Sequence, residues 1–241
     1  MKLKPFLAIV TASIVIGGSL QAANVAFHVD PSATWNQFVN AYNVSDNTSP
    51  FGFPEGNPST MSANFAAGPA QPLTLGPNTR IYDQEILNAA WVDQITFEPI
   101  LYIQANYYQE TGFGSVAPGD TWSFQGAVTT SNLGTSPWTT GPQGYSGVAF
   151  LKVLDPDGGW ATTQVLTTPL VPGQGFFLQD TVPTVPSGGN PFIQAGFALT
   201  GPIVSANDPI AGTGINIIPE PTTFALAGLG AAALVIFRRR S

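Results

Sequence analysis

The sequence predicts an all-β protein, an antiparallel β-sandwich or jelly roll followed by a C-terminal transmembrane helix. Two observations predict the sandwich. Short stretches alternate apolar with polar residues, and 26 glycines and 22 prolines separate these stretches too densely for long helices. Many short strands joined by turns are typical of two packed antiparallel sheets. The apolar share of 44% is enough to supply a core between them.

Ten segments are predicted as strands from their alternation. In residues 120–130, Trp122, Phe124 and Val128 share one face, so we expect Trp122 to be buried. Gly126 lies on that face too, where glycine marks a bulge or a close approach. The clearest strands are predicted at 100–109, 120–130, 146–154, 160–167 and 191–200. Weaker ones are predicted at 25–29, 35–44, 62–66, 175–179 and 214–218.

Residues 82–94 carry the only helical spacing, through Tyr82, Ile86, Ala89 and Ala90. An ordered loop fits this segment as well. We find no internal repeat, and residues 201–218 are interpreted as a last strand and linker, so the sequence predicts a single sandwich domain.

The first 22 residues have the parts of a secretory signal peptide. Lys2 and Lys4 give a positive start, residues 6–16 are apolar or small, and Ala22 is a small residue suited to cleavage. The apolar run is too short to span a bilayer comfortably, which disfavours a permanent anchor. We predict cleavage by signal peptidase after Ala22, although Leu20 leaves room for a shift by one residue.

The last residues combine three features in order. Pro219, Glu220 and Pro221 come first, an apolar segment at 222–237 is predicted to cross the membrane, and Arg238, Arg239 and Arg240 follow. As a helix the apolar segment is about 24 Å long, short of the roughly 30 Å hydrocarbon core. The arginines are expected to stay cytoplasmic, which places residues 23–221 outside.

This order resembles the PEP-CTERM sorting signal of Gram-negative bacteria, and the resemblance covers residues 219–241. It implies export, transient anchoring in the inner membrane, processing by an exosortase-like membrane peptidase, and delivery to the cell surface or extracellular matrix. Such proteins are commonly linked to extracellular polysaccharide, which makes polysaccharide a candidate partner. The competing interpretation is an ordinary tail anchor, which the shortness of the apolar segment disfavours.

The predicted domains are the signal peptide (1–22), the sandwich (23–215), and a linker with the sorting segment (216–241). Residues 23–218 carry 13 acidic and two basic residues, a formal charge of −11. This charge argues against nucleic acid and anionic lipid as partners and leaves divalent cations and neutral glycans. The absence of cysteine excludes disulfides and thiolate metal sites.

No catalytic residue is predicted. His28 is the only histidine and lies on the first predicted strand, and no Gly-x-Ser-x-Gly motif supplies a partner serine. Asp155 and Asp157 lie between two predicted strands and are weak candidates for binding calcium. Asp-Gly between alternating strands is also typical of a hairpin turn, which is the favoured interpretation. No other cofactor is predicted.

A glycan hydrolase would need two carboxyl groups about 5–10 Å apart. Glu98 and Glu110 flank the strand predicted at 100–109, and Asp83 and Glu85 alternate in a second segment. The sequence does not bring any two of them together, and exposed acids that keep the protein soluble are the default interpretation.

Aromatic residues are the more suggestive group, because an exposed ring stacks on a sugar ring. Trp138 lies among serine, proline, threonine and glycine residues and is the best candidate for an exposed, glycan-stacking ring. The other aromatics whose exposure the sequence leaves open are Trp35, Trp91, Trp160, Tyr107, Tyr108 and Tyr145.

The sequence therefore predicts a non-enzymatic, exported surface or matrix protein with a structural or adhesive role. A carbohydrate-binding module is the first alternative and a glycan hydrolase is the second. Exposed aromatic rings in a row on one sheet face would favour the binding module. A cleft with two close carboxyl groups of raised pKa would favour the hydrolase.

Overall fold

The computed structural model describes residues 22–54, 62–66, 71–79, 81–82, 88–134 and 144–219. The strands in these ranges are β1 (Asn24–His28), β2 (Asn36–Asn43), β3 (Phe51–Pro54), β4 (Ser62–Phe65), β5 (Leu73–Gly76), β6 (Leu101–Glu110), β7 (Thr121–Ser131), β8 (Ser146–Asp155), β9 (Ala161–Pro169), β10 (Gly175–Thr181), β11 (Phe192–Pro202) and β12 (Ile215–Ile218). One 3-10 turn, Pro209–Gly212, precedes β12. None of the described segments is a helix with the length and apolarity to cross a bilayer. The helix predicted at 222–237 lies outside the described residues.

The all-β prediction is confirmed, and each of the ten predicted strands is present. Sequence analysis missed β3 and β5, because four residues that include glycine or proline are too few to show an alternation. Within the segment with helical spacing, residues 88–94 form turns and one isolated bridge between Val92 and Pro99. Residues 88–94 therefore take the loop alternative, Tyr82 lies with Ile81 in a helical turn, and residues 83–87 lie outside the described residues.

The strands form two six-stranded sheets. In the first sheet the neighbouring strands are β1-β7-β12-β5-β4, in which β1 and β12 pair with different parts of the same edge of β7. The opposite edge of β7 pairs with β10. The second sheet has the order β3-β2-β6-β11-β8-β9. The neighbours are antiparallel except β1 and β7, which run parallel. Two sheets whose inner faces pack together define the sandwich that the sequence predicts.

Two strands share one side of β7, end to end. β1 pairs with residues 121–125 of β7, and β12 pairs with residues 127–131. The ladder of β12 therefore ends, with Ile218 opposite Ala127, close to where that of β1 ends, with His28 opposite Gln125, and the chain leaves the sheet at this point. Pro219 follows directly, and since proline has no N–H it cannot extend the ladder.

Aromatic rings from both sheets meet in the middle of the core. Phe124 and Phe176 of the first sheet lie 5.2 Å and 5.8 Å from Phe197 of the second, measured between ring centroids. Trp122 is fully buried, as predicted. Gly126 marks a close approach, because a Cβ there would lie 2.7 Å from the Phe176 ring. The alternation along β7 thus determines which side chains fill the core.

The predicted end of the sandwich domain at residue 215 is wrong. Ile215 and Ile217 are 2% and 0% exposed, and β12 lies between β5 and β7. The domain therefore extends to Ile218, because the register of β12 places these two side chains in the core. The sequence predicts a strand at 214–218, but the domain boundary predicted after residue 215 divides it, since a four-residue apolar segment next to a sorting tail does not show which strands it pairs with.

Candidate functional site

The second sheet has an outer face with many polar and aromatic side chains. Alternation sends Val39, Ile103, Leu151 and Phe197 into the core, and their chain neighbours point to the other side of the sheet. The outward side chains are Asn36, Phe38, Asn40 and Tyr42 on β2; Tyr102, Gln104, Asn106, Tyr108 and Glu110 on β6; Phe192, Gln194, Ala198 and Thr200 on β11; and Val148, Phe150, Lys152 and Leu154 on β8.

Small residues of β11 form the floor of a groove on this face. Gly196 aligns with Tyr108 on one side and Phe150 on the other, and these two rings lie 6.4 Å apart. A Cβ at Gly196 would collide with the main chain of Tyr107 and Tyr108. The cavity here, of about 120 Å³, we call the outer groove; it is lined by Gln104, Asn106, Val148, Phe150, Lys152, Val165, Thr167 and Ala198.

A row of polar groups crosses the groove at one level of the sheet. Gln194 aligns with Glu110 on β6 and with Lys152 on β8. The Gln194 side-chain amide donates to Glu110 Oε1 at 2.8 Å, and the Asn36 amide donates to Oε2 at 2.9 Å. These hydrogen bonds fix Glu110, so the row presents amide groups in defined positions.

Lys152 is the only lysine or arginine in the part of the chain that the structure describes. Its Nζ lies 4.9 Å from the centroid of the Phe150 ring, a cation–π contact. Burial lowers the pKa of the Lys152 ammonium below its ordinary value. The outer groove thus contains a single positive charge on a strongly acidic domain.

Three aromatic rings continue the outer face at the end where β11 begins. We call Phe113, Trp160 and Phe192 the aromatic end. Phe192 is buried and lies 5.1 Å from the Phe113 ring and 5.4 Å from the Trp160 ring. Phe113 and Trp160 are 72% and 49% exposed. Two exposed rings therefore stand on a buried ring, next to the polar row of the groove.

The turn between β8 and β9 holds Trp160 in place. Trp160 has a φ of 65°, in the left-handed region that bulky residues rarely adopt. Its N–H donates to the Asp155 carbonyl at 2.8 Å. The Asp155 carboxylate accepts from Gly158 N–H at 3.0 Å and from the N–H and hydroxyl of Ser187, which lower its pKa. The turn, which was the favoured interpretation of this segment, is present.

Both oxygens of Asp155 are therefore engaged, Oδ1 by Gly158 of the turn and by the Ser187 hydroxyl, and Oδ2 by Ser187 N–H from the loop between β10 and β11. Calcium at Asp155 and Asp157 stays a prediction, and binding would have to compete with these hydrogen bonds. Within the described ranges, no three histidine or acidic side chains are grouped so that they could hold a metal ion.

A second cavity, of about 660 Å³, lies at the opposite end of the second sheet, beside the ends of β2 and β6. Asp93 and Glu98 both line it, together with Asn43, Ser45 and Ile100. The N–H groups of Thr96 and Ile95 donate to Asp93 and lower the pKa of its carboxyl group. A general acid needs a raised pKa, so Asp93 is not suited to that role.

The carboxylate candidates from the sequence are separated by the fold. Glu98 and Glu110 lie at the two ends of β6, which spans about 30 Å, far beyond the 5–10 Å that glycoside hydrolysis needs. Asp83 and Glu85 lie outside the described residues. His28 is exposed on β1, where its carbonyl accepts from the Gln109 side chain at 2.6 Å.

Of the aromatic candidates, the structure places Trp91 and Tyr107 in the core, with Trp35 stacked on Tyr107 at 4.6 Å. Tyr145 donates its hydroxyl to the Pro202 carbonyl. Trp138, Glu220, Pro221 and the three arginines lie outside the described residues, whereas Ala22 and Pro219 are described and border the sandwich. The aromatics that sequence analysis missed are Phe113, Phe150 and Phe192, because Phe150 and Phe192 are brought together by the pairing of β8 with β11 and Phe113 reaches them from the loop between β6 and β7.

Three comparisons with known proteins bear on these features. Residues 218–240 match the family described as PEP-CTERM protein-sorting motif. No curated protein matches the chain. Among solved structures, the C-terminal family 22 carbohydrate-binding module of Clostridium thermocellum Xyn10B is similar at 13% identity and a TM-score of 0.24, over 69% of this chain and 90% of that chain. The motif implies export and processing by an exosortase.

Proposed function

We propose, from the PEP-CTERM protein-sorting motif that this chain carries at residues 218–240, that it is a structural or adhesive protein of the cell surface or extracellular matrix of a Gram-negative bacterium. Signal peptidase removes residues 1–22, and residues 222–237 anchor the chain transiently in the inner membrane. An exosortase-type peptidase then releases it. The observation that carries this proposal is the motif itself, which follows directly on the last strand of the sandwich.

Replacing Pro219, Glu220 and Pro221 by alanine is expected to abolish processing of the full-length chain. The reason is that the two prolines hold an extended backbone outside the membrane, in the conformation that a peptidase binds. Intact-mass analysis of the chain from its native host, with and without the exosortase, measures this. The wild-type mature form should lack Arg238–Arg240 only where the exosortase is present, and Pro172→Ala, an exposed proline in another turn, should be processed normally. Retention of the arginines in both strains would contradict the proposal.

A specific observation favours polysaccharide as the adhesive partner. The outer face of the second sheet follows β11 from Phe192 to Pro202, ten residue steps or about 34 Å. The outer groove is smaller than the roughly 300–1,000 Å³ pockets that enclose small molecules. A small depression on a long sheet face instead suits a polymer that is contacted along its length.

The chemistry of this face matches the chemistry of sugars. Aromatic rings at the aromatic end and at Tyr108 can stack on pyranose rings, and the partly exposed amides of Gln104 and Gln194 can bind hydroxyl groups. The charge of −11 on residues 23–218 disfavours densely anionic polymers. Neutral or sparsely acidic polysaccharides are therefore the expected ligands.

Trp160→Ala is expected to weaken binding of such a polysaccharide about threefold to tenfold, the loss of one stacked ring worth roughly 0.5–1.5 kcal/mol. Folding should be unaffected, because half of the Trp160 side chain is exposed. Affinity electrophoresis in gels containing the polysaccharide measures the change. Phe177→Ala is the matched control, since Phe177 is 58% exposed but lies on β10 of the other sheet. Equal retardation of wild type and Trp160→Ala would argue against the aromatic end as part of the site.

A further inference from the structure

The first residue after the predicted signal peptide is held by a carboxylate. The main-chain nitrogen of Ala23 donates to Asp120 Oδ1 at 2.8 Å, and the Ala23 carbonyl accepts from Thr121 N–H at 2.9 Å. From the next residue onward, β1 pairs in parallel with β7, beginning with Asn24 opposite Thr121. Ala22 and Ala23 are themselves exposed, so the peptide bond between them is accessible on the folded domain.

Among the residues that the structure describes, no side-chain cation lies beside Asp120. Its side chain is 9% exposed, and Oδ2 accepts from Ala117 N–H at 2.9 Å. Lys152, the one described lysine or arginine, lies on the outer face of the other sheet. His28 lies at the far end of β1, four residues from the first pair of the ladder. Main-chain N–H groups satisfy the carboxylate partly, but a nearly buried negative charge is stabilised more by a positive partner.

We propose that Ala23 is the mature N-terminus and that Asp120 is the binding site for its α-ammonium group. Cleavage adds water across the Ala22–Ala23 peptide bond. Ala22 departs with the signal peptide as a carboxylate, and the Ala23 nitrogen becomes a protonated amine at the position where its amide N–H already contacts Asp120. The hydrogen bond between an uncharged amide and the carboxylate thereby becomes an ion pair between the ammonium and the carboxylate, which adds the attraction of a full positive charge. Removal of the signal peptide thus gives Asp120 a positively charged partner and fixes β1 on β7.

The geometry also assigns the bond that is cut. Cleavage one residue earlier would place the ammonium on Ala22, one residue or about 3.5 Å further along the chain, and would leave an amide at Asp120. Cleavage one residue later would remove Ala23 and with it both of the hydrogen bonds that it makes to residues 120 and 121. Only a chain that begins with Ala23 places its α-ammonium group next to the Asp120 carboxylate.

The test compares chains that differ only at this contact. Residues 23–241 are prepared with Ala23 as the first residue and with one additional glycine before it, each with Asp120 and with Asp120→Asn, and thermal unfolding is measured in the same detergent. The additional glycine keeps the Ala23 amide N–H but moves the ammonium away. We expect it to lower Tm by about 3–6 °C with Asp120 and by less than about 1 °C with Asp120→Asn.

Two further measurements close the test. Intact mass of the exported full-length chain should give Ala23 as the first residue, and a different first residue would overturn the assignment. Should Asp120→Asn fail to fold, acetylation of the Ala23 amine tests the same contact without a substitution, because it removes the charge and keeps one N–H. An unchanged Tm after acetylation, or an equal effect of the glycine with Asp120 and with Asp120→Asn, would refute the binding of the ammonium by Asp120.

Discussion

A chain that ends at residue 214 is expected to lose cooperative folding, whereas a chain that ends at Ile218 should fold like the full sandwich. Residues 215–218 are β12, which joins the β4–β5 pair to β7 in the first sheet. Their removal takes Ile215 and Ile217 out of the core and leaves the main-chain groups of two strands without partners. Buried polar groups without partners each cost about 1–3 kcal/mol, so the total exceeds much of the stability of an ordinary domain.

Circular dichroism and urea unfolding of the two truncated chains measure this difference. The two truncated chains share their N-terminus and differ by four residues, so each is the control for the other. A cooperative transition with an unchanged midpoint in the shorter chain would mean that β12 is dispensable. The result also bears on processing, because a peptidase that cuts beyond Ile218 leaves the sandwich intact, and one that cuts within 215–218 does not.

Phe197→Ala is expected to lower the free energy of unfolding by about 3–5 kcal/mol, the usual cost of replacing a buried phenylalanine by alanine. Phe197 is fully buried, and it packs against aromatic rings of the opposite sheet. Its centroid lies 5.2 Å from Phe124, 5.8 Å from Phe176 and 6.1 Å from Trp35. Its loss leaves a cavity that these large, mutually packed rings cannot easily fill.

Urea unfolding of the mature chain, followed by tryptophan fluorescence, measures the loss. Phe177→Ala removes the same ring from an exposed position and should change the free energy of unfolding by no more than about 0.5 kcal/mol. If the two variants were equally stable, the inter-sheet packing around Phe197 would not be what holds the sandwich together.

Much of the fold could be predicted from local patterns. The alternation of Trp122, Phe124 and Val128 in β7, and of Leu101, Ile103 and Tyr107 in β6, predicts both the strands and the side that faces the core. A period of two needs only a few consecutive residues to be recognised. Four-residue strands such as β3 and β5 fall below that length, and so the sequence does not reveal them.

The candidate site could be predicted only in part. The sequence named Trp160 and Tyr108 as aromatics of open exposure, but it favoured Trp138, which lies outside the described residues. The partners of Trp160, namely Phe113 and Phe192, come from positions 47 residues before and 32 residues after it in the chain. Side chains so far apart are brought together by strand register, and register follows from the packing of the whole sheet.

The sequence by itself determined that the protein is built from short strands, that it is acidic and free of cysteine, and that its C-terminus carries a sorting motif. These properties are local or compositional, so no tertiary contact is needed to recognise them. Only the tertiary structure decided that the domain extends to Ile218, that Tyr108 and Phe150 lie on either side of Gly196, and that Asp120 accepts a hydrogen bond from Ala23. Each of these depends on residues distant in the chain, whose proximity is set by pairing and packing of the two sheets.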